Sequence, residues 1–168
     1  SFARRELLRV VLTKTTRIVL NSEAYRSHSM RYLPKKVPKC VVANGVDISR
    51  FSASQSKQQI HQELNLSSSA FILGCIGRLS AEKCLGDVVE ALSLLENRNV
   101  HLILVGDGPE HHTLLDTAAR LGLSAGVHFL GSRGDIPEIL SSISVYIQAS
   151  SFEGMPNGLL EAMAVGCP

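Results

Sequence analysis

The chain contains no tryptophan, and aromatic residues make up only 5% of its 168 positions, whereas apolar residues reach 45%. That profile describes an aliphatic α/β interior and not the aromatic-rich layers of a β-sandwich. No apolar run approaches the ~20 residues needed for a membrane-spanning helix. The formal net charge is only +2, too small to argue for nucleic acid or another polyanion as partner. No Asp-x-Asp pair of the kind that holds a divalent metal occurs. The four cysteines, Cys40, Cys75, Cys84 and Cys167, are too sparse for a disulfide scaffold and lack metal-ligand spacing. They read as small buried thiols in a reducing compartment, and the cytoplasm is the expected location. An initiating methionine is also missing, and Ser1–Thr16 lacks the long apolar core of a signal peptide. The start is therefore read as a fragment boundary, in a chain about one domain long.

What is present is a regular alternation. Apolar runs at Phe71–Gly77, Val100–Gly106, Val127–Gly131 and Val145–Ser150 are each followed by a helical pattern. The first helix carries Val88, Val89, Ala91, Leu92 and Leu95, and the second Leu114, Leu115, Ala118, Ala119 and Leu121. A short third covers Ile136–Leu140 and the fourth Asn157–Val165. Strand-like runs alternating with helices predict an α/β, Rossmann-like parallel sheet flanked by helices on both faces. Upstream, strands are expected at Arg17–Asn21 and Cys40–Ala43, with a helix over Glu23–Leu33 and breaks at Pro34 and Pro38. A junction near Asn44–Phe51 separates residues 1–45 from a second domain over 46–168. The polar stretch to Ser69 has a helical centre at Ile60–Leu64. At Gly166–Pro168 another strand is due, so the sheet is expected to continue in a longer chain.

Ligands of open parallel sheets bind beyond the carboxyl ends of the strands, which directs attention to four loops. They contain Gly77-Arg78-Leu79-Ser80-Ala81-Glu82-Lys83, Gly106-Asp107-Gly108-Pro109, Gly131-Ser132-Arg133-Gly134-Asp135 and Ser150 to Gly158. Glycines that admit a close backbone approach, two cations and free helix N-termini form a site suited to a diphosphate. Gly106-Asp107-Gly108 fails as a dinucleotide fingerprint because His111 occupies the third glycine position. In the last loop Pro156 suits a first helical turn, and Leu159, Leu160, Met163 and Ala164 form one apolar face with Glu161 off it. Glu161 suits ribose hydroxyls and Glu153 sugar hydroxyls. The same spacing also fits two exposed glutamates placed favourably around a core helix.

At this segment the chain resembles glycosyltransferase family 4, the group 1 glycosyltransferases, whose GT-B fold faces two Rossmann-like domains. Glu153 and Glu161, with seven residues between them, match the family's paired glutamates, and Gly154, Pro156 and Asn157 stand in place. Gly77-Arg78-Leu79 with Lys83 five residues after the arginine is a second mark, and Asn44-Gly45-Val46-Asp47 with Phe51 a third. Cys84 departs from the glycine usual after the lysine. The likeness runs from about Arg17 to Pro168 and implies the carboxyl-terminal, donor-binding half of such an enzyme, cut short, with a remnant of the amino-terminal domain.

The resemblance implies a retaining, metal-independent hexosyltransferase using a UDP- or GDP-sugar, needing no cofactor, in surface-polysaccharide assembly such as lipopolysaccharide. Arg78 and Lys83 would bind the diphosphate and offset leaving-group charge. Glu153 would contact the transferred sugar and Glu161 the ribose. Gly154 and the amides of Asn157, Gly158 and Leu159 would hold sugar or phosphate oxygens, and Arg133 and Asp135 would lie near the base. The glycan or lipid-linked acceptor would bind the missing domain, so the chain alone is expected to be inactive. A non-catalytic nucleotide-sugar-binding module and a GT-B epimerase are the competing readings. A basic helix over Phe2–Thr13, with Arg4, Arg5 and Arg9, either contacts anionic lipid at the inner membrane face or packs on its own domain.

Overall fold

In a computed structural model, residues 14–29, 33–51, 58–97 and 99–168 are described; the basic helix expected over Phe2–Thr13 lies outside them. The described residues divide into two compact units. The first comprises those up to Gly45 together with Glu153–Pro156, and the second runs from Val46 to Phe152 and from Asn157 to Pro168.

In the first unit, β1 (Ile18–Leu20) and β2 (Lys39–Val41) form a parallel pair, with helix α1 (Glu23–Ser29) between them in sequence. Ser22 caps α1, its buried hydroxyl accepting from the Tyr25 N–H at 3.0 Å, which satisfies a donor in the helix's unpaired first turn. The Lys39 ammonium donates to the carbonyls of Pro34 (2.6 Å) and Val37 (3.0 Å) and so fastens the proline-bounded loop.

The second unit holds β3 (Phe71–Ile76), β4 (Val100–Val105), β5 (Val127–Gly131) and β6 (Val145–Tyr146), a parallel sheet in the order β5-β4-β3-β6. The helices are α2 (Ile48–Phe51), α3 (Gln59–Glu63), α4 (Leu85–Ser93), α5 (His111–Arg120), α6 (Ile136–Ser142) and α7 (Asn157–Val165). Strand period 2 sorts the core into two layers. Leu102 and Leu104 of β4 face α4 and α5 through Val88, Val89, Leu92, Leu114 and Ala118. Ile103 and Val105 face the other layer, with Ile60, Ile139, Leu140 and Ala162. All four β4 residues are at most 2% exposed, and burying them contributes on the order of 6–12 kcal/mol before entropy is counted.

Three expectations need correction. The fourth run pairs only at Val145–Tyr146: Ile147, not Tyr146, donates to the Gly74 carbonyl, and the Tyr146 N–H goes to the Pro168 carbonyl. Of the expected apolar face of α7, Ala164 packs against the core and Leu160 is half-buried, but Leu159 and Met163 are 37% and 66% exposed, and the closest approach to the core is made by the small residues Gly158 and Ala162. A Cβ on Gly158 would stand 2.6 Å from the Tyr146 hydroxyl and 3.0 Å from the Ile76 carbonyl oxygen, so the helix lies too close to the sheet for a larger residue. Of the cysteines only Cys75 is buried, its thiol pushed up to about 12 by desolvation, while Cys40, Cys84 and Cys167 are half-buried.

Candidate functional site

Strands β3, β4 and β5 progress in one direction across the sheet, and β6 returns to the other side of β3. The order therefore reverses between β3 and β6, the topological switch point at which open α/β sheets bind ligands. A shallow crevice opens there, lined by Cys75–Leu79, Lys83 and Leu85 on one side and Tyr146–Ser150 on the other. Arg78 and Lys83 thus face one crevice, Arg78 exposed and Lys83 half-buried.

Backbone contacts hold the Arg78 loop. The amide of Gly77 donates to Val105, that of Leu79 to Asp107, and that of Glu110 back to Leu79, at 2.9–3.0 Å. Two glycines permit this: a Cβ on Gly106 would overlap the Gly77 carbonyl, and one on Gly108 would overlap that of Leu79. Lys83 closes a short 3₁₀ turn over Ala81–Lys83, and Cys84 follows in the left-handed region at φ 51°. The Lys83 ammonium passes over Gly77, 3.8 Å from where a Cβ would sit.

Across the crevice, Tyr146 donates to Gln148 Oε1 at 2.9 Å, and Gln148 Nε2 donates to Ser150 Oγ at 2.6 Å. These residues alternate along an extended segment and share a face, a period-2 signal that was present in the sequence but hidden within an apolar run. The Glu82 carbonyl accepts from the Ser151 N–H (2.9 Å) and hydroxyl (3.2 Å), tying the Lys83 turn to the segment after β6.

Arg133 and Asp135 do lie together, but as part of a larger cluster. The Arg133 guanidinium donates to both oxygens of Asp135 (2.8 and 2.6 Å) and both of Glu63 (2.6 and 3.0 Å), and Gln59 also donates to Asp135 at 3.1 Å. The hydrogen bonds from Arg133 hold the Asp135 carboxyl below its ordinary range, and the paired carboxylates raise the guanidinium's. Glu63 and Gln59 come from α3, some 70 residues away, and nothing local in the sequence points to them.

Asn157, Gly158, Leu159 and Glu161 stand in α7 of the second unit, Glu161 half-buried in its second turn. Glu153 and Gly154 belong to the first unit. There a Cβ on Gly154 would crowd the Asn21 side chain, and the Asn44 amide donates to the Met155 carbonyl at 2.9 Å. Among the described residues no cluster of His, Cys, Asp or Glu has metal-site geometry, and no helix is long and apolar enough to cross a membrane.

The family model described as "Glycosyl transferases group 1" matches residues 56–168. A UDP-Gal:α-D-GlcNAc-diphosphoundecaprenol α-1,3-galactosyltransferase of Escherichia coli is 32% identical over 134 residues, 76% of this chain and 35% of that protein. The lipopolysaccharide core biosynthesis mannosyltransferase LpsB of Rhizobium meliloti is 27% identical, over 96% of this chain and 53% of its own length. Anabaena Alr3699/HepE, solved in complex with UDP and glucose, superposes with a TM-score of 0.86 at 28% identity, covering 98% of this chain and 47% of that one. The chain thus spans about a third to a half of the length of these relatives, and its structural neighbours are GT-B glycosyltransferases. With this family model covering more than half of its residues, the chain belongs to the group 1 glycosyltransferases.

Proposed function

We propose that this chain is the donor-binding half of a retaining, metal-independent hexosyltransferase of surface-polysaccharide assembly, inactive without its acceptor domain. The observation that carries the reading is the pair Arg78 and Lys83 on one crevice at the switch point, over a loop whose glycines admit close backbone approach. Two cations there offset the charge that develops on a departing nucleoside diphosphate, the task a divalent metal performs elsewhere. Support for the donor class comes from HepE, solved with UDP and with UDP-glucose, and from the galactosyl- and mannosyltransferase relatives.

In this reading Glu161 receives the ribose hydroxyls, Glu153 the transferred sugar, and Gly154 with the amides of Asn157, Gly158 and Leu159 the neighbouring oxygens. Arg133 and Asp135, engaged with each other, support the loop beside the base instead of reaching it with free charge. The acceptor is a glycan or lipid-linked glycan, and the protein works in the cytoplasm. The test is calorimetric titration with UDP and GDP. One nucleotide binds, Glu161→Ala weakens it by at least ~1 kcal/mol as a lost charge-assisted hydrogen bond requires, and EDTA changes nothing. A folded chain that binds neither overturns the reading.

A further inference from the structure

In sequence, between the two cations of the crevice, stands a residue that the proposed function leaves without a role. Glu82 immediately precedes Lys83, and its carboxylate, although exposed, is tied down. Ser80, itself only 7% exposed, donates to Glu82 Oε1 at 2.7 Å, and its hydroxyl lies 3.5 Å from the Arg78 carbonyl oxygen. The main chain of Glu82 is fastened as well, by the two bonds from Ser151 to its carbonyl. This carboxyl is held below the ordinary range first by the Ser80 hydrogen bond and then by its own backbone amide, with smaller contributions from the charges of Arg78 and Lys83. Glu82 does not itself line the crevice; it stands in the 3₁₀ turn that carries Lys83 there, so the loop beside the crevice holds two positive charges and one negative charge fastened by Ser80.

Building on the donor-binding reading, we propose that Glu82 is a specificity-determining counter-ion of the crevice, tuned to weaken retention of the released nucleoside diphosphate more than binding of the donor. The chemistry follows from charge. A diphosphate esterified at both ends carries about two negative charges at neutral pH, whereas cleavage of the sugar leaves a terminal phosphate with a second ionisation near pH 6 and a total of about three. Two unopposed cations favour the product over the donor and slow its departure. A fixed carboxylate beside them repels both ligands, in proportion to their charge, and so narrows that preference. Holding it by Ser80 keeps it from swinging away when the ligand arrives.

The experiment compares the unaltered chain, Glu82→Gln and Asp116→Asn in titrations with UDP and UDP-glucose, or with GDP and GDP-mannose if the guanosine nucleotide is the one that binds. The amide introduced by Glu82→Gln keeps an oxygen for the Ser80 hydroxyl, and thermal melting confirms that each variant is folded. Asp116, exposed on α5, reports the effect of net charge alone. At ~20 mM salt Glu82→Gln is expected to tighten the nucleotide-sugar roughly threefold and the free diphosphate roughly fivefold, by relief of Coulomb repulsion across ~8 Å of mostly aqueous surroundings. Both gains shrink in ~0.5 M salt, where screening acts over about 4 Å. Glu82→Gln binding that is unchanged, weaker, or tightened equally for both ligands overturns the inference, as does the same gain in Asp116→Asn. Loss of nucleotide binding by the unaltered chain overturns the donor-binding reading itself, a result distinct from any of these.

Discussion

The contact of Gly106 with Gly77 permits a sharp test of how the Arg78 loop is held. Replacing Gly106 by alanine has two separable costs. At φ +128° the residue occupies backbone space that L side chains rarely enter, a strain of roughly 1–3 kcal/mol. The new Cβ would also overlap the Gly77 carbonyl, a backbone group that cannot rotate away as a side-chain tip does. Shifting it adds about 1–3 kcal/mol, as overpacking of a filled interior does. The sum, roughly 2–6 kcal/mol, is a large share of the ~5–15 kcal/mol that stabilises a typical domain. Gly122, at φ +70° with nothing within 4 Å of a Cβ, supplies the control: Gly122→Ala meets only the strain, about 1–2 kcal/mol. Urea denaturation of the two variants, with unchanged m-values, gives both numbers. Because the displaced carbonyl immediately precedes Arg78, Gly106→Ala should also weaken nucleotide binding, and Gly122→Ala should not. Equal destabilisation by the two substitutions would show that the loop is not held by backbone contact, and the reasoning would fail.

Two further outcomes are expected. Cys84 sits at φ 51° with its sulfur 3.8 Å from the Ala81 and Glu82 carbonyl oxygens, so Cys84→Gly should raise stability by ~0.5–1 kcal/mol, read as a rise in Tm; a fall would show that those sulfur contacts outweigh the strain. His101 Nδ1 and His128 Nε2 meet at 3.2 Å, and desolvation, followed by charge from neighbouring histidines, depresses both below the ordinary 6.5. The unfolded chain then binds more protons than the folded one just below 6.5, so stability is full above that pH and declines as pH falls through the window beneath it. Urea midpoints at pH values of about 7.5, 6.0 and 5.0 should drop in that order, and His128→Gln should flatten the decline.

The sheet was legible because strands buried on both faces must read as continuous apolar runs, and β3, β4 and β5 lie within a residue of those runs. Arg78 and Lys83 were legible as one group because both flank the turn after a single strand. The seam of α7 was not. Leu159 and Met163 look like its core face by hydrophobicity, but closeness to the sheet selects the small residues Gly158 and Ala162, and hydrophobicity alone does not measure closeness. The cluster around Arg133 escaped for a different reason. Its partners Glu63 and Gln59 arrive through tertiary packing of α3 near α6, whereas the local pair Arg133 and Asp135 already looked complete.

That cluster also gives the carboxyl edge of the sheet a direction. Glu63, Arg133 and Asp135 together hold a net charge of −1 beside the end of β5, while Arg78, Lys83 and Glu82 together hold +1 in the loop beyond β3. Strand β4 lies between, so the two groups are separated by about two strand spacings, ~10 Å. The edge is therefore a short electric gradient, negative at one end and positive at the other. A molecule with a phosphate tail and an uncharged head would be turned by this field before any hydrogen bond formed. Its reach is about one Debye length at physiological salt, so the alignment would operate only within the last ~8 Å of approach.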